Sequence, residues 1–281
     1  MIRPILAASL AAILACATVA CSLAEADRRV NFYSPAEEAQ MGTDAYHDVL
    51  AKGKRCTDAE ANALIARVGQ RLAAVVKTDQ QFAWEFNLLE SSEVNAFCLP
   101  GGKVAVYTGI LPYCENEAAL AAVMGHEIGH AVARHGGRRM TQGVIMSGLE
   151  TTLGEVLKAK GVSETNANLS LAAFGGLSQV GVMLPFSRTH ELEADAMGLE
   201  YMAQAGYDPQ EAVRFWQRFA KLGSSGPAFL STHPQSGDRA QKLGELMPKA
   251  VAQYQAAPTK SGIGAQVPAR YRTVPAPAPA K

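Results

Sequence analysis

From Asn116 onward the chain carries an apolar helical pattern interrupted by three groups that an apolar interior does not accept alone. The pattern runs through Ala118, Leu120, Val123 and His126 to about His135. Ala121, Ala122, Val123, Ile128, Ala131 and Val132 make this helix apolar on most sides, so it belongs inside the fold. Yet Met124-Gly-His-Glu-Ile-Gly-His130 places two imidazoles and a carboxylate on it, in the spacing H-E-x-x-H. Burying such groups without partners is costly, and metal coordination supplies partners. Positions four apart share a helix face, so His126 and His130 can aim ring nitrogens at one ion. Imidazole suits Zn2+, and a catalytic zinc keeps three protein ligands and one open place. Glu127, on the shoulder of the same face, is the expected catalytic base, taking a proton from water and returning it to a leaving amine.

The third ligand has to come from elsewhere. A His six residues beyond His130 would complete one common pattern, but position 136 is Gly and His135 falls one short. His135 is therefore not expected as a ligand. Much later, Glu191-Leu-Glu-Ala-Asp195 places two acids four apart on one face, within an apolar setting of Leu192, Ala194, Ala196, Met197 and Leu199. Glu191 is expected to bind the metal. Asp195 is expected to accept a hydrogen bond from the far nitrogen of a ligand His, fixing its tautomer. Glu193 sits about 200° around the helix from Glu191 and is expected to face away.

Around this core the chain reads as one α+β domain over residues 22–255, mostly helical with a small sheet. Ser34-Pro35-Ala36-Glu37 is a capping box that opens a helix to about Lys52. Thr57-Asp58-Ala59-Glu60 repeats the signal, and Leu64, Val68, Leu72 and Val75 carry that helix to about Lys77. Phe82–Leu89 alternates as a strand. Val94–Leu99 and Lys103–Thr108 flank Pro-Gly-Gly as a hairpin. Between Met140 and Pro185 a helical piece is expected near Leu149–Lys160. The charge-free residues 167–186 are expected to form a buried or cleft-lining helix rather than a membrane contact. Helices resume at Ser187–Ala205, at Asp208-Pro209 and, as a short last one, after Gly237. Residues 256–281 carry five of the 14 Pro and no acid, so a disordered tail is expected.

Several separated blocks then align, in order, with one family. Asn95-Ala-Phe-Cys-Leu-Pro-Gly-Gly102, Tyr107-Thr-Gly-Ile-Leu111, the helix at 117–135, Glu191-Leu-Glu-Ala-Asp195, and Ser231-Thr-His-Pro234 with Arg239 resemble peptidase family M48 over roughly residues 34–250. The H-E-x-x-H and E-x-x-x-D pair is similar to the gluzincins more broadly. The resemblance implies a zincin-like (gluzincin) fold and a zinc metalloendopeptidase with one Zn2+ held by His126, His130 and Glu191, and with Glu127 as base. It implies unfolded or misfolded exported proteins as substrates, in quality control of the cell envelope. It also implies that Asn95, Ala96 and Phe97 form an edge strand lining the cleft, which holds an extended peptide through main-chain hydrogen bonds. Cys98 in that block departs from the commoner apolar residue. His233 carries two readings, a fourth metal ligand that keeps the enzyme latent or a donor to the oxyanion. Arg188 and Arg239 are weaker candidates for contact with the oxyanion or a carboxylate, with structural ion pairing the favoured role. The rival class is a zinc-stabilised holdase that grips unfolded chains and cleaves little.

The N-terminus reads as an address. Residues 1–21 hold Arg3 and a short apolar run followed by small residues, as in a secretory signal. Cys21, before Cys16, is the expected lipidation site, anchoring the chain in a membrane leaflet, the outer membrane before the inner. The other exit is Ala24-Glu25-Ala26, which gives a soluble periplasmic chain from Asp27. Export leaves Cys56, Cys98 and Cys114, an odd number, so one disulfide and one free thiol are expected. The 26 Lys and Arg balance the 26 Asp and Glu, which gives no electrostatic case for nucleic acid.

Overall fold

The computed structural model describes residues 30–159, 161, 187–220, 229, 233 and 237–273. The chain divides into two compact units, one of Pro35–His135 with Pro185–Lys281 and one of Met1–Ser34 with Gly136–Leu184. The expected signal segment and the charge-free residues 167–186 lie outside the described residues.

The first unit is α+β. Its order is α1 (Pro35–Lys52), α2 (Ala59–Ala73), β1 (Glu85–Leu89), β2 (Ala96–Leu99), β3 (Lys103–Tyr107), a short α3 (Leu111–Cys114) and α4 (Glu117–Val132). Helix α5 (His135–Ala159) begins at the last residue of this segment, and α6 (Arg188–Gln204), α7 (Gln210–Ala220) and α8 (Gly237–Ala256) complete the helices described. Strand β1 pairs parallel with β3, and β2 pairs antiparallel with β3, in the order β1-β3-β2. Strand β2 therefore lies at an edge of the sheet.

Local chemistry sets the ends. Asp58, not Thr57, caps α2, its Oδ1 accepting from the amides of Glu60 at 2.9 Å and Ala61 at 3.1 Å. That helix stops at Ala73, short of Lys77, as the β-branched pair Val75–Val76 lowers helix propensity. Asn116 Oδ1 accepts from Ala119 N at 2.8 Å and opens α4, and Ser187 Oγ accepts from His190 N at 3.3 Å and opens α6. Helix α4 ends at Val132 rather than at His135, because Arg134 adopts φ 58°. Its guanidinium forks onto buried Glu38, with contacts of 2.9 and 3.2 Å, and holds the turn from which His135 restarts a helix.

Fifteen of the sixteen residues of α4 are buried, from Glu117 to Ala131. Buried Glu117 in its first turn is gripped by Arg67 at 2.7 Å, Arg71 at 2.9 Å and Tyr207 Oη at 2.9 Å. Burial pushes this carboxyl up, but Arg67 and Tyr207 outweigh it and hold the group below its usual range. Helix α4 meets α6 backbone to backbone. A Cβ on Gly198 would stand 2.7 Å from His126 N, and one on Gly129 2.9 Å from Ala194 O. Gly125 lies against Gly198 and Gly129 against Ala194, so the two helices run antiparallel. Gly198→Ala should therefore cost about 1–3 kcal/mol, read as a lower urea midpoint at unchanged m. An unaltered midpoint would mean that the two helices part freely.

Three expectations are corrected. The last helix is 20 residues long, not short. Residues 257–273 are packed, not disordered. Ser261 N donates to Gly206 O at 2.7 Å, Glu117 N to Ala265 O at 3.0 Å and Val267 N to Glu115 O at 3.1 Å, while Val267 is fully buried. Of the five tail prolines only Pro258 and Pro268 fall in this strap, so averaging composition over the whole tail hid it. Finally, Cys56, Cys98 and Cys114 are all free thiols. Burial pushes the Cys114 thiol up to about 12, and Cys56 Sγ instead lies 3.3 Å from Tyr271 Oη.

In the smaller unit, α5 is continuous from Gly136 to Ala159, where a helix only near Leu149–Lys160 was expected. Phe32 N donates to Thr141 Oγ1 at 2.9 Å. Among the described residues no helix is long and apolar enough to cross a membrane.

Candidate metal centre

The antiparallel seam brings the two motif faces together. His126 and His130 project from α4, Glu191 from the first turn of α6, and His233 from the segment before α8. One ligand atom of each lies within 4.8 Å of all the others, and all four residues are buried. His126 Nε2 is 3.0 Å from His130 Nε2 and 3.2 Å from His233 Nδ1. Glu191 Oε1 is 3.2 Å from His130 Nε2 and 3.1 Å from His233 Nδ1. Donors bound at 2.0–2.1 Å to one tetrahedral zinc stand about 3.3 Å apart. Four separations of 3.0–3.2 Å are close to that spacing, and the donor set of imidazoles and one carboxylate is a zinc set.

The electrostatics suit a cation. Burial holds His130 well below the usual imidazole range, so it stays neutral and can donate a lone pair. Burial works against the Glu191 carboxylate, but His130 and His233 outweigh it and keep the group ionised. His126 Nδ1 lies 3.0 Å from Asp195 Oδ1, on the side away from the cluster. Burial pushes Asp195 up, yet Arg239 and His126 overcome that and hold it down. Arg239 is 3% exposed and makes a fork on Asp195, at 2.7 and 2.8 Å, while its Nη1 reaches Glu191 Oε2 at 2.7 Å. Its guanidinium lies over the Trp216 ring, 4.5 Å from the centroid. Phe229 stacks on His233 at 4.4 Å, and Trp216 meets His126 edge-on at 5.4 Å.

Glu127 is 3% exposed, and burial pushes its carboxyl up. Its Oε1 has no hydrogen-bond partner among the described residues and lies 3.5 Å from His233 Nε2. A buried carboxylate oxygen left unbonded among the described residues, with the His233 and His126 imidazoles near it, is placed to take a proton from a small polar guest. Edge strand β2 packs on α4. Ala96 is buried and Phe97 half-buried, and Asn95 O extends the ladder by accepting from Tyr107 N at 3.0 Å. Asn95 Oδ1 accepts from the amide of Ala96 at 2.9 Å, so its side chain fixes the entry to the strand. Cys98 on this strand is kept protonated by burial and by the nearby Glu127.

The structure thus brings together His126, Glu127, His130, Glu191, Asp195 and His233. Arg239, weighed for contact with the oxyanion or a carboxylate and expected as a structural ion pair, holds both carboxylates of the E-x-x-x-D motif. One partnership escaped the sequence. Glu193 does point away from the four-residue cluster, but its Oε2 meets His135 Nε2 at 3.1 Å. Arg188 is exposed at the start of α6.

A buried His-His-Glu-His centre built on H-E-x-x-H, inside an α+β unit, has the construction of a metallopeptidase. The chain belongs to peptidase family M48, whose model matches residues 59–247, more than half of the 281. It is 38% identical over 229 residues, 79% of this chain, to the mitochondrial metalloendopeptidase OMA1 of Schizosaccharomyces pombe. It is 35% identical over 181 residues, 61% of this chain, to the mitochondrial metalloendopeptidase OMA1 of Saccharomyces cerevisiae. It is 31% identical over 206 residues, 70% of this chain, to the beta-barrel assembly-enhancing protease of Escherichia coli. The matches cover 65%, 49% and 41% of those relatives' lengths. Peptidases of family M48 use zinc, and the four-residue group fits that ion.

Proposed function

We propose that the chain is a zinc-dependent endopeptidase of the cell envelope, hydrolysing peptide bonds in unfolded or misassembled exported proteins. The observation that carries this reading is the buried Oε1 of Glu127, unbonded among the described residues, beside the convergent His-His-Glu-His set. In the reading, His126, His130 and Glu191 hold the ion and Asp195 orients the His126 ring. Zinc held there supplies Lewis acidity toward water and toward a peptide carbonyl. Glu127 Oε1 takes the proton of the attacking water and passes it to the leaving amine, and a carboxyl raised by burial suits both transfers. The edge of β2 that no other described strand covers takes the substrate as an added strand, which reads backbone rather than side chains and so favours unfolded chains. This arrangement is that of a zincin-like cleft. The relatives' names, a mitochondrial metalloendopeptidase and a beta-barrel assembly-enhancing protease, support proteolysis in a membrane-bounded compartment. The signal-like residues 1–21 and Cys21 support export with a lipid anchor.

His233 occupies the fourth corner that a substrate carbonyl would need, so it serves as the latch of a resting form. The test is cleavage of unfolded casein by the purified chain, with and without a zinc chelator, for wild type and His233→Ala. Cleavage should stop on chelation and return with added zinc. His233→Ala should raise it several-fold if His233 is only a latch, and lower it if the ring also steadies the oxyanion. Unchanged cleavage would remove both roles, and casein bound but never cut by any form would point to a holdase.

A further inference from the structure

We propose that His135 and Glu193 are positioning residues that set the affinity of the centre through His130. The proposal rests on the metal-centre reading above and goes beyond it to two residues that touch neither ion nor substrate. His130 turns Nε2 toward the cluster, so as a neutral ligand it carries its proton on Nδ1. That atom is 2.9 Å from His135 Nδ1. Two protonated nitrogens cannot share such a contact, so His135 accepts at Nδ1 and carries its own proton on Nε2. Nε2 in turn lies 3.1 Å from Glu193 Oε2, which accepts it. The tautomers of both rings are thereby fixed in one direction, from the cluster outward to a carboxylate.

The surroundings hold the relay in place. His135 is fully buried, its ring stacked on His190 at 4.1 Å and edge-on to His130 at 4.9 Å. The left-handed turn at Arg134 is what carries His135 out of the line of α4 and behind His130. Glu193 keeps 42% of its side chain exposed, so its charge is inexpensive to maintain. Both ligand imidazoles on α4 are thus backed by a carboxylate. His126 meets Asp195 directly, whereas His130 reaches Glu193 through a second imidazole.

The experiment measures zinc affinity by competition with a fluorescent chelator, together with the visible spectrum of the cobalt-loaded chain. Its variants are His135→Ala, His135→Gln and Glu193→Ala, each with a thermal melt to confirm folding. His135→Ala should weaken zinc by about 10–100-fold and alter the cobalt spectrum. His135→Gln should recover affinity to within about threefold, since its carbonyl accepts from His130 and its amide donates to Glu193. Glu193→Ala should weaken zinc by about three- to tenfold. Should His135→Ala fail to fold, the partly exposed Glu193→Ala decides the matter. Wild-type affinity and an unshifted cobalt spectrum in the folded variants would overturn the proposal while leaving the centre intact. A wild-type chain that binds no zinc would overturn the centre as well.

Discussion

Glu127→Gln should leave the fold and the zinc content unchanged and should abolish nearly all cleavage of unfolded casein. The side chain keeps its size and its place on α4, between buried residues on every side. What it loses is the capacity to bind a proton at Oε1, a buried atom with no competing hydrogen bond among the described residues. Removal of a positioned general base is worth about 10²–10⁴ in rate. A loss near the upper end is expected here, because the same carboxyl is assigned both the deprotonation of water and the protonation of the amine. Metal analysis alongside turnover separates the effects, since a variant that loses zinc has lost the centre rather than the base. Normal turnover by the zinc-loaded variant would require a different base.

Arg239→Ala should be the most damaging single change to stability. The guanidinium is nearly fully buried and meets Asp195 at 2.7 and 2.8 Å and Glu191 at 2.7 Å. Its removal leaves two buried carboxylates short of their cationic partner, which costs about 3–5 kcal/mol. Lysine would not substitute, because a single ammonium cannot reproduce the fork. The effect carries a pH signature. In the wild type, Asp195 is held below its usual value, so its contribution is present above the unfolded pKa and is lost as pH falls through the folded one. In the variant only His126 still opposes burial, and the carboxyl rises. The gap in unfolding free energy should therefore be widest near neutrality and should narrow below about pH 4, near the unfolded aspartate value. A gap under about 1 kcal/mol at neutrality would show that the ion pair is dispensable.

The sequence exposed those parts of the site where burial and charge contradict each other. An apolar helix does not carry two imidazoles and a carboxylate unless they converge on something, and a second acidic pair in an apolar run raises the same question. Helical spacing then says which members of each pair share a face. Contacts between distant segments leave no such trace. Arg239 is 44 residues from Asp195, and nothing in its neighbours marks it as buried. The break after Val132 depends on Arg134 finding Glu38, 96 residues away, so the apolar periodicity alone carries the helix too far. Angular reasoning turned Glu193 away from the ion correctly but had no means of supplying His135 as its partner. The strap at 257–273 was hidden by the Pro-rich residues that follow it.

The glycine seam between α4 and α6 has a wider bearing. Because Gly125, Gly129 and Gly198 let the two backbones touch, the distance from the imidazole pair to the acidic pair is set by main chain rather than by side-chain size. Sequence drift can resize the surrounding apolar residues without retuning that separation. The seam works as a fixed ruler inside an otherwise adjustable scaffold, so the grip on the ion can stay constant while the surfaces that meet substrates diversify.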